Sequence, residues 1–577
     1  MLFPALQQPP QLRVTVTRFL GLDRSPDTPQ GAFTDLTNMS SLDYPTLSVR
    51  PARGTVTTLA LPLGLTQRES LVWCDGGRLL INGCETGLLL SASAEKQFVS
   101  MGAYLVIFPD KMYINTRDLS DYGSLENTAV TTGTVTFTLC RADGDPYSDY
   151  TVSAAAPETP AGGALWLDTS GDAPVLRQYD AAAPGWTAVA ATYVKISAAG
   201  IGRGFSAGDG VTVSGCSVTD LNGSFVLSAA ADDYLTVPGV LSAARTQTAA
   251  LTVRRAVPDM DYVTECGNRL WGCQYGLVDG LTVNAVYACK LGDFKNWQCF
   301  EGLATDSYAA ARGADGPFTG AVTHLGNPLF FREHSLEKVY PAASGAHQIV
   351  TIECQGVQKG SARSLCVVEG VLYYHGIGGI YTYDGSLPRN VSRALGAARY
   401  RNAAAGAVDG RYYVSMQDET TGAWHLFCCD TRRSLWHRED NTHAMAFAPV
   451  GSDLFCLEAG TGRILSLLGS QGVKETDIPF AAETGDWGLA DMEHKYLQRL
   501  EARVLLSEGA SLSLYVSYDS GGTWEKKGAV TGTAALRPAV LPIRPKRCGQ
   551  VRLRLTGTGG CRLYTLCGVY GKGSDTP

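Results

Sequence analysis

Gly326, Gly370, Gly410 and Gly451 each separate two short apolar runs, and successive members of this set lie 44, 40 and 41 residues apart. The stretches read AVTHLGNPLFF, LCVVEGVLYYHG, AGAVDGRYYVSM and AFAPVGSDLFCL. A strand, a glycine turn and a second strand, repeated every 40–45 residues or so, describe the blade of a propeller. The physical reason is burial. One small sheet cannot cover both of its faces, so such sheets stack radially around an axis. Three weaker units precede these: LVWCDGGRLLING (71–83), FVSMGAYLVIFPDKMYIN (98–115) and VTECGNRLWGC (263–273). The expected fold is therefore all-β, a β-propeller of six to eight blades, with inserted small β modules and a C-terminal β-sandwich.

The ring is interrupted over 128–255, where Ala, Thr, Gly and Asp dominate. Two small modules are expected there, one around 162–189 and one around 204–239. Long excursions from a loop are tolerated because closure entropy grows slowly with length. After about residue 478, Ser511-Leu-Ser-Leu-Tyr-Val516 and Val551-Arg-Leu-Arg-Leu555 alternate strictly. One buried and one wet face follow, hence a sandwich. The expected organisation is an extended segment over 1–54, first blades over 55–127, modules over 128–255, remaining blades over 256–477 and the sandwich over 478–577. Thr55–Leu61 would supply the first blade.

Composition excludes several classes. The net charge is −7, 18% of residues are charged, and no basic run exceeds Arg544-Pro-Lys-Arg547. Phosphate binding needs clustered Lys and Arg, so a nucleic-acid binder is not expected. Sixteen cysteines are scattered without a C-x-x-C pair. Small buried thiols are expected rather than a zinc site, and Cys289, Cys366 and Cys456 sit in apolar runs. MLFPALQQPP lacks the features of a signal peptide, and no run approaches the ~20 apolar residues of a membrane span.

Each chemical motif has a structural explanation. Ser517-Tyr-Asp-Ser-Gly-Gly-Thr-Trp524 resembles the Asp box of sialidases and related propeller glycosidases, but one box without convergent arginines reads as a turn. Gly204-Phe-Ser-Ala-Gly208 matches a nucleophile elbow, yet a turn and strand follow Ser206 where a helix is required. His375-Gly-Ile-Gly-Gly379 and the run from Gly200 to Gly204 read as hairpins, not phosphate loops. Asp143-Gly-Asp145 and Asp168-Thr-Ser-Gly-Asp172 read as solvated turns rather than calcium loops. His425 and His437, with Trp424 and Trp436 beside them, read as blade core. No catalytic, cofactor-binding or metal-binding residue is assigned, no cofactor is expected, and the protein is expected not to be an enzyme.

The N-terminal run FLGLDRSPDTPQGAFTDLTNMSSLDYPTLSVRPARG (19–54) is similar to the start of tail proteins of tailed bacteriophages. The 165–189 and 204–239 stretches and FAAETGDWGLADMEHKYLQRLEARV (480–504) also resemble virion β modules. Together they resemble the podoviral tail hub or nozzle family. That resemblance implies a structural virion protein below the portal and adaptor, around a DNA exit channel. It implies identical subunits in a ring (a hexamer), adaptor and tail fibre or tip proteins as partners, DNA passing without sequence-specific binding, and no membrane insertion. The expected location is the virion tail, after synthesis in the host bacterial cytoplasm. The alternative is a receptor- or glycan-binding protein at the tail tip, with Trp186 or Trp524 as a sugar platform.

Overall fold

In the computed structural model, which describes residues 11–488, 495–518 and 522–572, the four repeat glycines have φ of 71°, 85°, 66° and 60°. Leu325, Glu369 and Asp409, one residue earlier, also have positive φ, between 46° and 50°. Two consecutive left-handed residues are what a two-residue hairpin requires. Register agrees: His324 pairs with Asn327, Val368 with Val371, Val408 with Arg411 and Val450 with Asp453.

These hairpins belong to a ring of seven antiparallel sheets among the described residues. Blade one runs from Pro62–Gln67 to Cys84–Leu89, and blade two from Gln97–Met101 to Tyr122–Ser124. Blade three runs from Tyr262–Glu265 to Tyr308–Ala311, blade four from Gly320–His324 to Gln348–Glu353, and blade five from Cys366–Val368 to Arg389–Asn390. Blade six spans Tyr400–Val408 to Leu435–Asp440, and blade seven begins with Ala444–Val450. The all-β propeller expectation is borne out, and the helical elements described are three short 3₁₀ turns.

Adjacent residues of one strand point to opposite faces, and in a blade both faces are covered. Phe330 packs in the core shared with blade three, whereas Phe331 packs in the core shared with blade five. Tyr374 meets Phe331 at 5.1 Å, while its neighbour Tyr373 stacks on Tyr412 of blade six at 5.2 Å. Apolar pairs in sequence therefore mark second strands. Cys74, Cys273, Cys429 and Cys456 fill the same interfaces as buried thiols, whereas Cys84 is exposed.

The N-terminal segment departs from expectation. It is not an extended leader into the first blade. Gly54–Thr58 lies antiparallel to Arg463–Ser466 and completes blade seven, closing the ring. Before it, Leu12–Val16, Met39–Ser40 and Leu47–Val49 join one sheet of the sandwich, and Phe33–Thr37 joins the other. Burial explains this: Phe19, Leu22, Phe33, Leu36 and Leu47 lie in the same core as Leu500, Leu514 and Leu553. Charge then fastens the segment to the ring. Arg53 pairs with Glu439 and Asp440, both at 2.7 Å, and Arg50 pairs with Glu475.

In the sandwich, Lys495–Leu506 and Cys561–Lys572 form the centre of one sheet, and Arg552–Thr558 and Ser511–Ser517 that of the other. The strict alternation has its expected effect: Leu512, Leu514, Val516, Val551, Leu553 and Leu555 are buried. The two modules between blades two and three are nested rather than consecutive. Two sheets enclose one core around Phe137, Ile196, Val211 and Val253. A smaller sheet, from Tyr150–Ser153 to Gly185–Ala188, is spliced in between Val135–Cys140 and Tyr193–Ser197 of that body.

Candidate functional site

Where the inner strands of a propeller begin, several chain segments converge on the axis, and small side chains there leave room. Ala321, Ala403, Ala404 and Ala444 contribute to such an opening here, a cleft of about 580 Å³. A second cavity of about 320 Å³, lined by Gly64, Thr66, Ala405 and Ala446, continues from it, and Gln97 and Arg363 border both. At Gly64 the close approach of the next blade decides the residue: a Cβ would fall 2.6 Å from the Phe98 ring.

The polar and aromatic groups of the mouth come from five blades and their connections. Glu95 precedes the inner strand of blade two, Tyr262 opens that of blade three, and Arg363 lies in the turn before blade five. Asn402 sits on the inner strand of blade six with φ 52°, at a bulge between Arg401 and Ala404. Trp424 opens the third strand of blade six, and His443 precedes blade seven. The His443 imidazole stacks on the Trp424 ring, with centroids 3.4 Å apart and planes within 11°. Arg363 pairs with Glu95 at 2.8 Å and donates to the Met445 carbonyl at 3.0 Å. Burial lowers the pKa of His443, with Glu458 and Glu95 pulling the other way. The imidazole is therefore neutral at pH 7, and the platform is uncharged beside a charged pair.

Of the residues singled out in sequence, Trp424 alone reaches this mouth. Trp436 is 1% exposed and donates to the Val391 carbonyl at 2.9 Å. Burial drives the pKa of His375 and of His437 down to about 4. His425 is half-buried against Asn441. Ser206 lies in an exposed loop whose backbone N–H is capped by Asp209, and the strand Gly210–Ser214 follows. Asp168 accepts from Ser170 and pairs with Arg177 at 2.9 Å, which makes it a turn residue. Trp186 packs edge-on against Trp166 at 5.3 Å, and Trp524 lies beneath Arg554 at 4.1 Å. Asp519, Ser520 and Gly521 of the Asp-box stretch lie outside the described residues. Arg363 and Glu95 were not legible as site residues, because neither carries a local motif.

No protein-family model and no curated protein matches the sequence. Among solved structures, an exo-β-1,3-galactanase from Phanerochaete chrysosporium is similar with a TM-score of 0.22 and 8% identity, over 53% of this chain and 94% of that one. A glycoside hydrolase family 43 arabinoxylan arabinofuranohydrolase from Bacillus subtilis has a TM-score of 0.17 and 9% identity, over 54% and 94%. A Trypanosoma rangeli sialidase has a TM-score of 0.16 and 10% identity, over 97% and 95%. Two expectations are corrected here, a hub or nozzle protein of a virion and a protein without enzymatic activity: the three similar solved structures just named are glycosidases. At such identities and TM-scores no substrate or catalytic residue passes from them to this chain, and the propeller rests on the chain's own sheets. Among its described residues the chain is an all-β propeller of seven blades with a C-terminal β-sandwich.

Proposed function

We propose that the protein binds carbohydrate at the axial mouth of its propeller. The observation that carries this reading is the stacked Trp424–His443 pair beside the Arg363–Glu95 ion pair, in a cleft of about 580 Å³. A sugar ring has a flat face of C–H groups and a rim of hydroxyls. An aromatic platform covers the first, and a guanidinium and a carboxylate meet the second with charge-assisted hydrogen bonds. A concave site with an apolar floor and a few convergent polar groups is the usual form of a small-ligand site.

The test is a glycan array followed by calorimetry on the wild-type protein, Trp424→Ala and Arg363→Ala, with product formation followed in the same samples. The wild type is expected to bind a glycan, and Trp424→Ala to weaken it on the order of 10-fold or more. The reading fails if no glycan binds, or if Trp424→Ala binds as tightly as the wild type.

A further inference from the structure

We propose that Cys299, Glu301 and Asp306 form a site for one divalent metal ion of zinc-like softness, which fastens the inserted module to blade three. The three residues lie in the connection between Leu281–Ala288 and Tyr308–Ala311. The Cys299 sulfur and one carboxylate oxygen each from Glu301 and Asp306 lie within 4.8 Å of one another.

A cluster of this kind is common on surfaces, and a second observation sets this one apart. Asp306 is 9% exposed, and its two oxygens are treated very differently. Oδ2 accepts the backbone N–H groups of Glu301, Gly302 and Leu303 at 2.5, 2.7 and 3.0 Å. Oδ1 is buried and has no hydrogen-bond partner. A buried carboxylate oxygen left without a partner costs free energy, and a bound ion is one of the few groups that removes the cost. Neither neighbouring cation reaches Asp306 Oδ1: Arg269 spends its guanidinium on the carbonyls of Cys289, Ala304 and Asp306, and Lys290 donates to the Gly208 carbonyl and interacts with the Cys299 thiol.

The donor set selects the metal. One thiol and two carboxylates suit zinc, with Asp306 held in orientation by its three N–H donors and a coordination position left for water. Magnesium and calcium, which prefer all-oxygen shells, suit it less. The position gives the site a purpose. The same connection carries Asn296, which accepts from the Gly210 N–H at 2.9 Å and donates to Asp209 at 3.1 Å. Both of those residues belong to the inserted module. An ion that fixes the connection stabilises the folded state by mass action and holds the module against the ring.

The test uses the full chain, stripped of metal and titrated with zinc and with cobalt. One equivalent per chain is expected, with a thiolate-to-cobalt charge-transfer band in the near ultraviolet and slower hydrogen exchange over Gly210–Ser214. Cys299→Ser is expected to abolish the band. Because Cys299 is buried, Glu301→Gln serves beside it: Glu301 is exposed, and its substitution is expected to leave the fold intact and weaken zinc on the order of 10-fold to 100-fold. The proposal is overturned if the folded wild type retains no metal and gives no band, or if the band persists in Cys299→Ser.

Discussion

The ring and the sandwich are both antiparallel, but they find their partners differently. Within blades one to six every sheet joins strands that follow one another in the chain. The sandwich pairs Leu12 with Tyr570, Leu47 with Leu563 and Phe33 with Thr484. Blade seven shares both habits, taking three strands in order and Gly54–Thr58 from far upstream. Local pairing writes its turn into the sequence, and distant pairing leaves only alternation.

The largest expected effect comes from acid, and it separates the two regions. His375 and His437 lie in blades five and six, each with a pKa lowered by burial to about 4. Above the ordinary imidazole value, near 6.5, both states are neutral and stability is intact. As pH falls from there towards 4, the unfolded chain takes up protons that the folded chain refuses. Stability then declines by roughly 3 kcal/mol per histidine. Denaturant melts between pH 7 and 4 check this, and His437→Gln is expected to flatten the curve.

Next in size, Arg53→Ala is expected to cost about 3–5 kcal/mol, because Glu439, 6% exposed at its side chain, is left buried without its cation. A loss below ~1 kcal/mol in chemical denaturation would mean that the N-terminal segment is held by its apolar residues alone. Gly370→Ala probes a purely local pairing. The glycine has φ 85° and open space where a Cβ would go, so the expected cost is the backbone strain, about 1–2 kcal/mol. The smallest effect on stability is expected for Trp424→Ala, below ~1 kcal/mol, whereas Trp436→Ala costs about 3–5 kcal/mol. Equal losses in thermal melts would place both indoles in the core and remove the platform.

The repeat glycines were legible because a two-residue hairpin demands positive φ at fixed places, and a period of such turns leaves few architectures. The N-terminal strands were not legible as such. Nothing near Leu12 announces a partner at Tyr570, and the Leu47-Ser-Val-Arg-Pro51 run reads as extended whether or not it is paired. The inserted modules were visible as a change of texture, but their nesting depends on strands such as Val135–Cys140 and Arg245–Gln247, which meet only after the intervening sheet has been looped out. At the axis, Trp424 and Trp436 look alike in sequence. Their difference is set by which side of the blade six strand pair faces the opening. Cys299, Glu301 and Asp306 are not legible in sequence, because one thiol with two carboxylates matches no paired Cys and His spacing.

The closure of blade seven also sets an order of events during synthesis. Gly54–Thr58 leaves the ribosome early, yet the edge it must seal, Arg463–Ser466, emerges some 400 residues later. Until then the growing chain carries an open wheel and an orphan strand, both able to pair with a neighbouring nascent copy. Emergence of Arg463–Ser466 is therefore the moment at which the wheel can close and the molecule becomes safe from its own kind.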